Sequence, residues 1–202
     1  PTLPGVASAL AALRAAEAAG FGACRRVRDI VWLRPLAAAD GPVEARIALV
    51  AGERDIGFEI AGPDGLACRG RIEPTGDPLA LPVPEDGQEW SAEALYDRLL
   101  ETGLDYRADY RPIRSVRVSP HGAVAELDMA VIGTGFADWP LPPPLLDAAL
   151  QVAAASTLPA DGGPAPTLVP FSAAWIDLAP EAARDWRRAA RIVARPVPAV
   201  TG

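Results

Sequence analysis

Lysine and asparagine do not occur in this chain, and histidine and methionine occur once each. The 19 basic residues are therefore all arginines, and 26 acidic residues outnumber them, which gives a formal net charge of −7. No arginine-rich run offsets this charge locally. This balance is not typical of proteins that bind nucleic-acid phosphates, so we expect no nucleic-acid partner.

Cysteine and long apolar runs are also scarce. The two cysteines, Cys24 and Cys68, are too few for a disulfide framework, and neither has a second Cys or a His at metal-ligand spacing. No apolar run reaches the roughly 18 residues of a membrane span, and the start lacks the features of a signal peptide. We therefore expect a cytoplasmic protein with reduced thiols, no metal and no membrane contact. Because it starts at Pro1, we expect a domain of a longer polypeptide.

What the chain does have is a repeated order of elements. Residues 6–19 and 145–158 are rich in Ala and Leu and predict two nearly buried helices. Turn residues separate the strand-like runs that follow the first helix and surround the second. The strands are expected at residues 27–36, 43–50, 54–60, 66–72, 113–118, 123–131, 167–178 and 187–195, and Ser91 is expected to cap a further helix that ends near Thr102.

The repeat predicts an α+β fold of two units, each with a long central helix wrapped by an antiparallel sheet, that is, a double hot-dog. A Pro-, Gly- and Asp-rich stretch without periodicity separates them. We expect an N-terminal unit at residues 1–75, without its first strands, a linker at 76–90, and a C-terminal unit at 91–202.

Four segments resemble, in order, the dehydratase domain of type I polyketide synthases. "LPGVASALAALRAAEAAG" (3–20) is similar to the first hot-dog helix of that family, and "LYDRLLETGLDY" (95–106) to the segment that leads into its Tyr-Gly-Pro motif. "PLLDAALQ" (144–151) resembles the second catalytic motif, in which an Asp is followed four residues later by Gln or His. "LVPFS" (168–172) is similar to the strand that follows. The resemblance extends over most of the chain.

The resemblance implies elimination of water from a β-hydroxyacyl chain on the phosphopantetheine arm of an acyl carrier protein. In that family a His removes the α-proton and an Asp protonates the departing hydroxyl. This implies Asp147 as the catalytic acid, with Gln151 and Tyr106 at the substrate. It also implies neighbouring synthase domains as partners and no diffusible cofactor, and it is compatible with a homodimer.

The residues themselves give part of the same interpretation. Asp147 is expected in the first turn of a helix preceded by three prolines, where the helix dipole favours the carboxylate. Burial in an apolar tunnel would favour the protonated acid instead. Gln151, at i+4, lies on the same helical face and can reach the Asp or a substrate oxygen. The alternative is that Asp147 is only a stabilising charge at a helix start.

The chain also departs from the family pattern. The first family motif is His, three residues, Gly, four residues and Pro; its Pro aligns with Pro4, so the catalytic His would precede Pro1. The single histidine, His121, is expected in an exposed turn. Tyr106 is followed by Arg107 and Ala108 instead of Gly and Pro.

Two alternative functions follow from these departures. The chain could be an inactive dehydratase-like structural or dimerisation module. It could also use the same fold as an isomerase, a cyclase or a thioester hydrolase.

Overall fold

The computed structural model describes residues 2–22, 24–37, 42–73, 83–136, 139, 141–159, 163–164, 167, 170–177, 186–188 and 191–194. In chain order the helices and strands are β1 (Thr2–Leu3), α1 (Gly5–Ala18), β2 (Arg26–Trp32), β3 (Leu36–Ala37), β4 (Arg46–Ala51), β5 (Ile56–Gly62), β6 (Gly65–Glu73), β7 (Gln88–Ser91), α2 (Ala92–Glu101), β8 (Ile113–Ser119), β9 (Gly122–Leu127), α3 (Pro143–Ala155), β10 (Ser172–Asp177) and β11 (Arg191–Ala194). Short 3-10 turns lie at Ala108–Tyr110, Met129–Val131, Thr134–Phe136 and Trp186–Arg188.

The chain folds into two compact units. The first contains Pro1–Leu79, Asp138–Pro143 and Pro170–Trp186, and the second contains Ala80–Ala137, Pro144–Val169 and Arg187–Gly202. The sequence prediction gave all of 91–202 to the second unit, but β10 pairs antiparallel with β2 and therefore belongs to the first. Residues 76–82 of the predicted linker lie outside the described part of the chain.

The first unit is built on an antiparallel sheet of order β10-β2-β6-β5-β4, and α1 contacts four of its strands, β2, β4, β5 and β6. Alanine is the strongest helix former, which explains why this Ala-rich segment is helical. The helix stops because Gly20 adopts φ 86°, while the N–H groups of Gly20 and Phe21 donate to the carbonyls of Glu17 and Ala16. The long buried helix predicted at residues 6–19 is thus confirmed at Gly5–Ala18.

The core of this unit lies between α1 and the inner face of the sheet. From the helix, Leu10 and Leu13 are at most 1% exposed, and from the sheet Phe58, Ile60 and Ile72 are at most 2% exposed. Alternate residues on each strand supply the core because side chains of a strand point to opposite faces. Charged residues of the same strands, such as Glu59 and Arg69, are exposed.

The second unit has an antiparallel sheet of order β11-β9-β8-β7, and α2 contacts β7 and β8. Ser91 caps α2 as predicted, since its hydroxyl accepts the N–H of Ala94 at 3.2 Å. Leu95 and Leu99 are buried, whereas Leu100 is 54% exposed. Strand β7, with buried Trp90, occupies the end of the stretch that the sequence assigned to the linker.

Candidate active site

Asp147 is the fifth residue of α3, one residue deeper in the helix than its first turn. The sequence prediction of a first-turn acid is wrong, because the helix begins at Pro143 and its first turn contains no acidic residue. Pro143 and Pro144 fit there because the first N–H groups of a helix have no intrahelical partner and the fixed φ of proline is near helical. Since the dipole acts mainly within the first turn, it is not the main influence on Asp147.

The side chain of Asp147 is buried, with 6% of the residue exposed. Its Oδ2 accepts a hydrogen bond of 2.8 Å from Nε2 of Gln151, which confirms that the i and i+4 side chains meet on one helical face. Among the described residues, no fully buried side-chain nitrogen or oxygen lacks a hydrogen-bond partner. Oδ1 makes no hydrogen bond to the described residues.

Two opposing influences act on the Asp147 carboxyl. Burial raises its pKa by penalising the charged form, and the hydrogen bond from Gln151 lowers it by stabilising that form; the first effect is larger, so the pKa lies above its ordinary value. A general acid must keep its proton until the transition state, and a raised pKa serves that purpose. The electrostatics at Asp147 therefore favour a proton donor over a stabilising surface charge.

Gln151 is 0% exposed, and its carboxamide is fully engaged. One N–H of Nε2 donates to Asp147 and the other to the backbone oxygen of Tyr110 at 3.0 Å. Its Oε1 accepts the hydroxyl of Tyr96 at 3.2 Å. An amide group has two N–H donors, so none remains for a substrate oxygen. The predicted contact of Gln151 with substrate stays a prediction, while its contact with Asp147 is observed.

Tyr96, on α2, is a member of this site that the sequence interpretation missed. It is 4% exposed; its hydroxyl oxygen accepts the N–H of Ile113 at 3.2 Å, and the Arg111 guanidinium carbon lies 4.4 Å from the ring centroid. Burial raises the pKa of Tyr96 to about 12, although the Ile113 hydrogen bond and the charge of Arg111 act in the opposite direction. A buried tyrosine hydroxyl usually has a hydrogen-bond partner. The position of Tyr96 next to Leu95, a core residue, could therefore have indicated a buried hydrogen bond at this residue.

Tyr106, which the resemblance placed at the substrate, lies close to this network. It is half-buried, and its ring meets that of Tyr96 edge-on, with centroids 6.3 Å apart and an interplanar angle of 60°. Burial and the charge of Asp147 raise the pKa of Tyr106 and also that of half-buried Tyr110, the latter to about 12. Neither phenol hydroxyl makes a hydrogen bond within the described residues, so both phenols are protonated donors near Asp147.

The loop after Tyr106 differs from the family pattern in conformation as well as in sequence. Ala108 has φ 46°, a value that a proline ring excludes, so this loop cannot have a proline here. The turn that begins at Ala108 carries Tyr110, whose carbonyl receives the second N–H of Gln151. Arg107 is 81% exposed at its side chain and pairs with Asp105. Arg107 is thus a surface residue in this structure.

Ala108→Gly is expected to raise the free energy of unfolding by about 0.5–1 kcal/mol. The left-handed conformation costs a non-glycine residue roughly 1–2 kcal/mol, and the extra freedom of glycine in the unfolded chain offsets about half of the relief. Urea denaturation measures the change. Ala94→Gly in the exposed face of α2 is the matched control and should lose about 0.5–1 kcal/mol. Equal losses in both variants would contradict the argument.

The remaining candidates lie elsewhere. His121 is exposed in the turn between β8 and β9, as expected, and its backbone N–H donates to the hydroxyl of Ser119. Cys24 and Cys68 are free and buried, and burial raises the pKa of Cys68 to about 11. In the described ranges, no group of three His, Cys, Asp or Glu residues could hold a metal, and no helix is long and apolar enough to cross a membrane.

Comparison with known proteins identifies the class. The sheets and helices match solved hot-dog dehydratase domains, among them a trans-AT polyketide synthase dehydratase domain from Brevibacillus brevis. That match has a TM-score of 0.78 and 21% identity and covers 100% of this chain and 75% of that one. A pyran synthase domain from module nine of the sorangicin pathway has a TM-score of 0.80 and 25% identity, with coverage of 98% and 74%. The predicted α+β hot-dog fold is confirmed.

Sequence comparison identifies the family. The model of the polyketide synthase dehydratase N-terminal domain matches residues 74–197. Polyketide synthase ThaG from Burkholderia thailandensis is 31% identical over 216 residues, which cover 95% of this chain and 4% of that protein. Polyketide synthase PksN from Bacillus subtilis is 26% identical, with coverage of 84% and 3%. The chain belongs to the polyketide synthase dehydratase family, and it spans a few per cent of the length of these relatives.

Proposed function

We propose that this chain eliminates water from a β-hydroxyacyl group carried on an acyl carrier protein, with Asp147 as the proton donor. The observation that carries the proposal is the buried carboxyl of Asp147, whose Oδ2 accepts a hydrogen bond from Gln151 while Oδ1 makes none to the described residues. Burial raises its pKa, which favours the protonated form that a proton donor needs. The family to which the chain belongs supplies the class of reaction.

In the proposed reaction, a base removes a proton from the carbon next to the thioester. The new carbon–carbon double bond forms as the bond to the β-hydroxyl breaks, and that hydroxyl leaves as water with the proton of Asp147. We propose that the phenols of Tyr106 and Tyr110, both close enough to Asp147 to sense its charge, donate hydrogen bonds to oxygen atoms of the acyl group. The family motif that ends at Pro4 would place the base, a histidine, before Pro1.

The partners of this reaction are part of the proposal. The acyl carrier protein brings the substrate on its phosphopantetheine arm, and the neighbouring domains of a synthase supply and consume it. Acid–base elimination needs no metal or diffusible cofactor, so we propose none. The cytoplasmic location and the homodimer stay predictions.

The proposal is tested with this domain in the polypeptide in which it naturally occurs. Incubation with a β-hydroxyacyl carrier protein should remove one water, which mass spectrometry of the phosphopantetheine-bound acyl group detects, and an enoyl thioester should appear. An unchanged mass with substrates of several chain lengths would favour the inactive structural module instead.

A ring-closing activity is the second candidate, because a structure that matches 98% of this chain is a pyran synthase domain. Addition of a hydroxyl group to an activated double bond also uses an acid and a base. That reaction does not change the mass of the acyl group. A hydroxy-enoyl carrier protein that loses its conjugated absorbance at constant mass would identify the cyclase.

A further inference from the structure

We propose that Tyr96 is a positioning residue that fixes the orientation of the Gln151 amide and, through it, the Oδ2 atom of Asp147. The inference rests on the proposed function of Asp147 as acid and extends it to a residue that neither the sequence interpretation nor the resemblance assigned.

A continuous chain of hydrogen bonds links β8, α2 and α3. The N–H of Ile113 donates to the hydroxyl oxygen of Tyr96, and that hydroxyl donates to Oε1 of Gln151, both at 3.2 Å. Nε2 of Gln151 then donates to Oδ2 of Asp147 at 2.8 Å. Because the backbone N–H uses a lone pair of the phenol oxygen, the phenol proton is directed toward Gln151.

These hydrogen bonds allow only one orientation of the Gln151 amide. The two atoms on its nitrogen side, Oδ2 of Asp147 and the carbonyl oxygen of Tyr110, are both acceptors. A flipped amide would turn Oε1 toward these oxygens and leave all three acceptors without a proton. Tyr96 opposes the flip from the other side, since its hydroxyl proton already points to Oε1.

The fixed orientation of the Gln151 amide determines which oxygen of Asp147 carries the proton. Oδ2 accepts a hydrogen bond from Gln151, so the proton of the neutral acid belongs on Oδ1. Among the described residues, the Tyr96 hydroxyl bonds to Gln151 and Ile113 and makes no hydrogen bond to Asp147. Its contribution to the reaction is therefore to hold the acid in place, with about a three- to tenfold effect on kcat/KM for the loss of one neutral hydrogen bond.

The experiment is a titration of the Asp147 carboxyl by carbon NMR in the full chain labelled at aspartate, with the signal assigned from Asp147→Asn. In Tyr96→Phe the amide loses its fixed orientation and donates less well to the carboxylate. The midpoint of the Asp147 titration should therefore move to higher pH. Gln151→Met should move it in the same direction and further. Besides Tyr96 itself, the titratable groups that sense the charge of Asp147 are Tyr106 and Tyr110. These two residues, and Arg111 over the Tyr96 ring, are unchanged in all variants.

The double variant decides whether Tyr96 acts through Gln151. In the Gln151→Met background, Tyr96→Phe should cause no additional displacement. Equal displacements with and without Gln151 would overturn the proposal, and so would an unchanged midpoint in Tyr96→Phe. Thr102→Val is the matched control, because it removes another buried hydroxyl of the α2 region, bonded to Leu99 O, and should not move the midpoint.

Two further measurements keep the test conclusive. If Tyr96→Phe does not fold, p-aminophenylalanine at position 96 retains an N–H donor for Gln151 and should preserve the wild-type midpoint; a displaced midpoint would count against the proposal. In the active domain, the alkaline limb of the rate profile should shift with the NMR midpoint. The titration needs no substrate, so it tests the hydrogen-bond chain separately from the reaction. A domain without dehydratase activity would disprove the proposed function, and the titration would still decide whether Tyr96 positions Asp147.

Discussion

Asp147→Asn is expected to lower the rate of water elimination by about 10²–10⁴-fold, the range that a positioned general acid contributes. An amide fills the same space but has no proton of suitable acidity to give to the departing hydroxyl. The rate is measured in the natural polypeptide, with a β-hydroxyacyl carrier protein and mass detection of the enoyl product. Asp97→Asn is the matched control: Asp97 is exposed on α2, so the same chemical change there should leave the rate unaltered.

The same substitution should have the opposite effect on stability. Because burial raises the pKa of Asp147, the unfolded chain loses this proton at lower pH than the folded chain does. The free energy of unfolding therefore falls as the pH rises from the unfolded pKa through the folded one, and Asp147 destabilises the fold at neutral pH. Asp147→Asn should remove that pH dependence and match or exceed the wild-type stability at pH 7.

These two results together separate a catalytic acid from a structural charge. If Asp147 only stabilised the start of α3, its removal would lower stability by a few tenths of a kcal/mol and leave the rate unchanged. Urea denaturation at several pH values measures the first quantity. Normal elimination by Asp147→Asn would show that another group donates the proton.

Part of this site could be predicted from sequence because it is local. Asp147 and Gln151 are four residues apart on one helix, and helical geometry alone brings them together. Tyr96 and Gln151 are 55 residues apart, and only the packing of the second unit brings the Tyr96 hydroxyl to the Gln151 amide. A contact over 55 residues leaves no periodic pattern in the sequence. The sequence therefore showed Tyr96 only as a tyrosine next to Leu95.

The fold shows the same limit. Composition and hydrophobic spacing predicted α1, α2 and α3 to within a few residues, because helix formation depends on neighbours along the chain. Strand pairing does not depend on such neighbours: Ser172 lies opposite Val31, so β10 joins the first unit although it follows most of the second unit along the chain. The start of α3 was misjudged because three prolines suggested a loop, whereas a helix tolerates proline in its first turn.

Phe58→Ala is expected to lower the free energy of unfolding by about 3–5 kcal/mol, the usual cost of removing a buried phenylalanine ring. Phe58 is 2% exposed and is the largest of the fully buried side chains. It lies directly opposite Gly70 in the β5–β6 register, and its ring covers the glycine so closely that a Cβ on Gly70 would be 2.8 Å from the ring. The substitution therefore opens a cavity that the neighbouring backbone cannot close.

Because Phe58 and Gly70 are in contact, we also expect the effects of substituting them on the free energy of unfolding to be coupled. Thermal and urea unfolding measure this coupling. Gly70→Ala alone should cost about 1–3 kcal/mol, because the new methyl group overpacks against the Phe58 ring. In the Phe58→Ala background the same methyl group enters the cavity and should cost markedly less. Val50→Ala on β4 is the control, since Val50 is 70% exposed and its loss should change stability by no more than about 0.5 kcal/mol. Additive losses for Phe58 and Gly70 would mean that the ring does not rest on the glycine, and the inner face of this sheet would then have to pack differently.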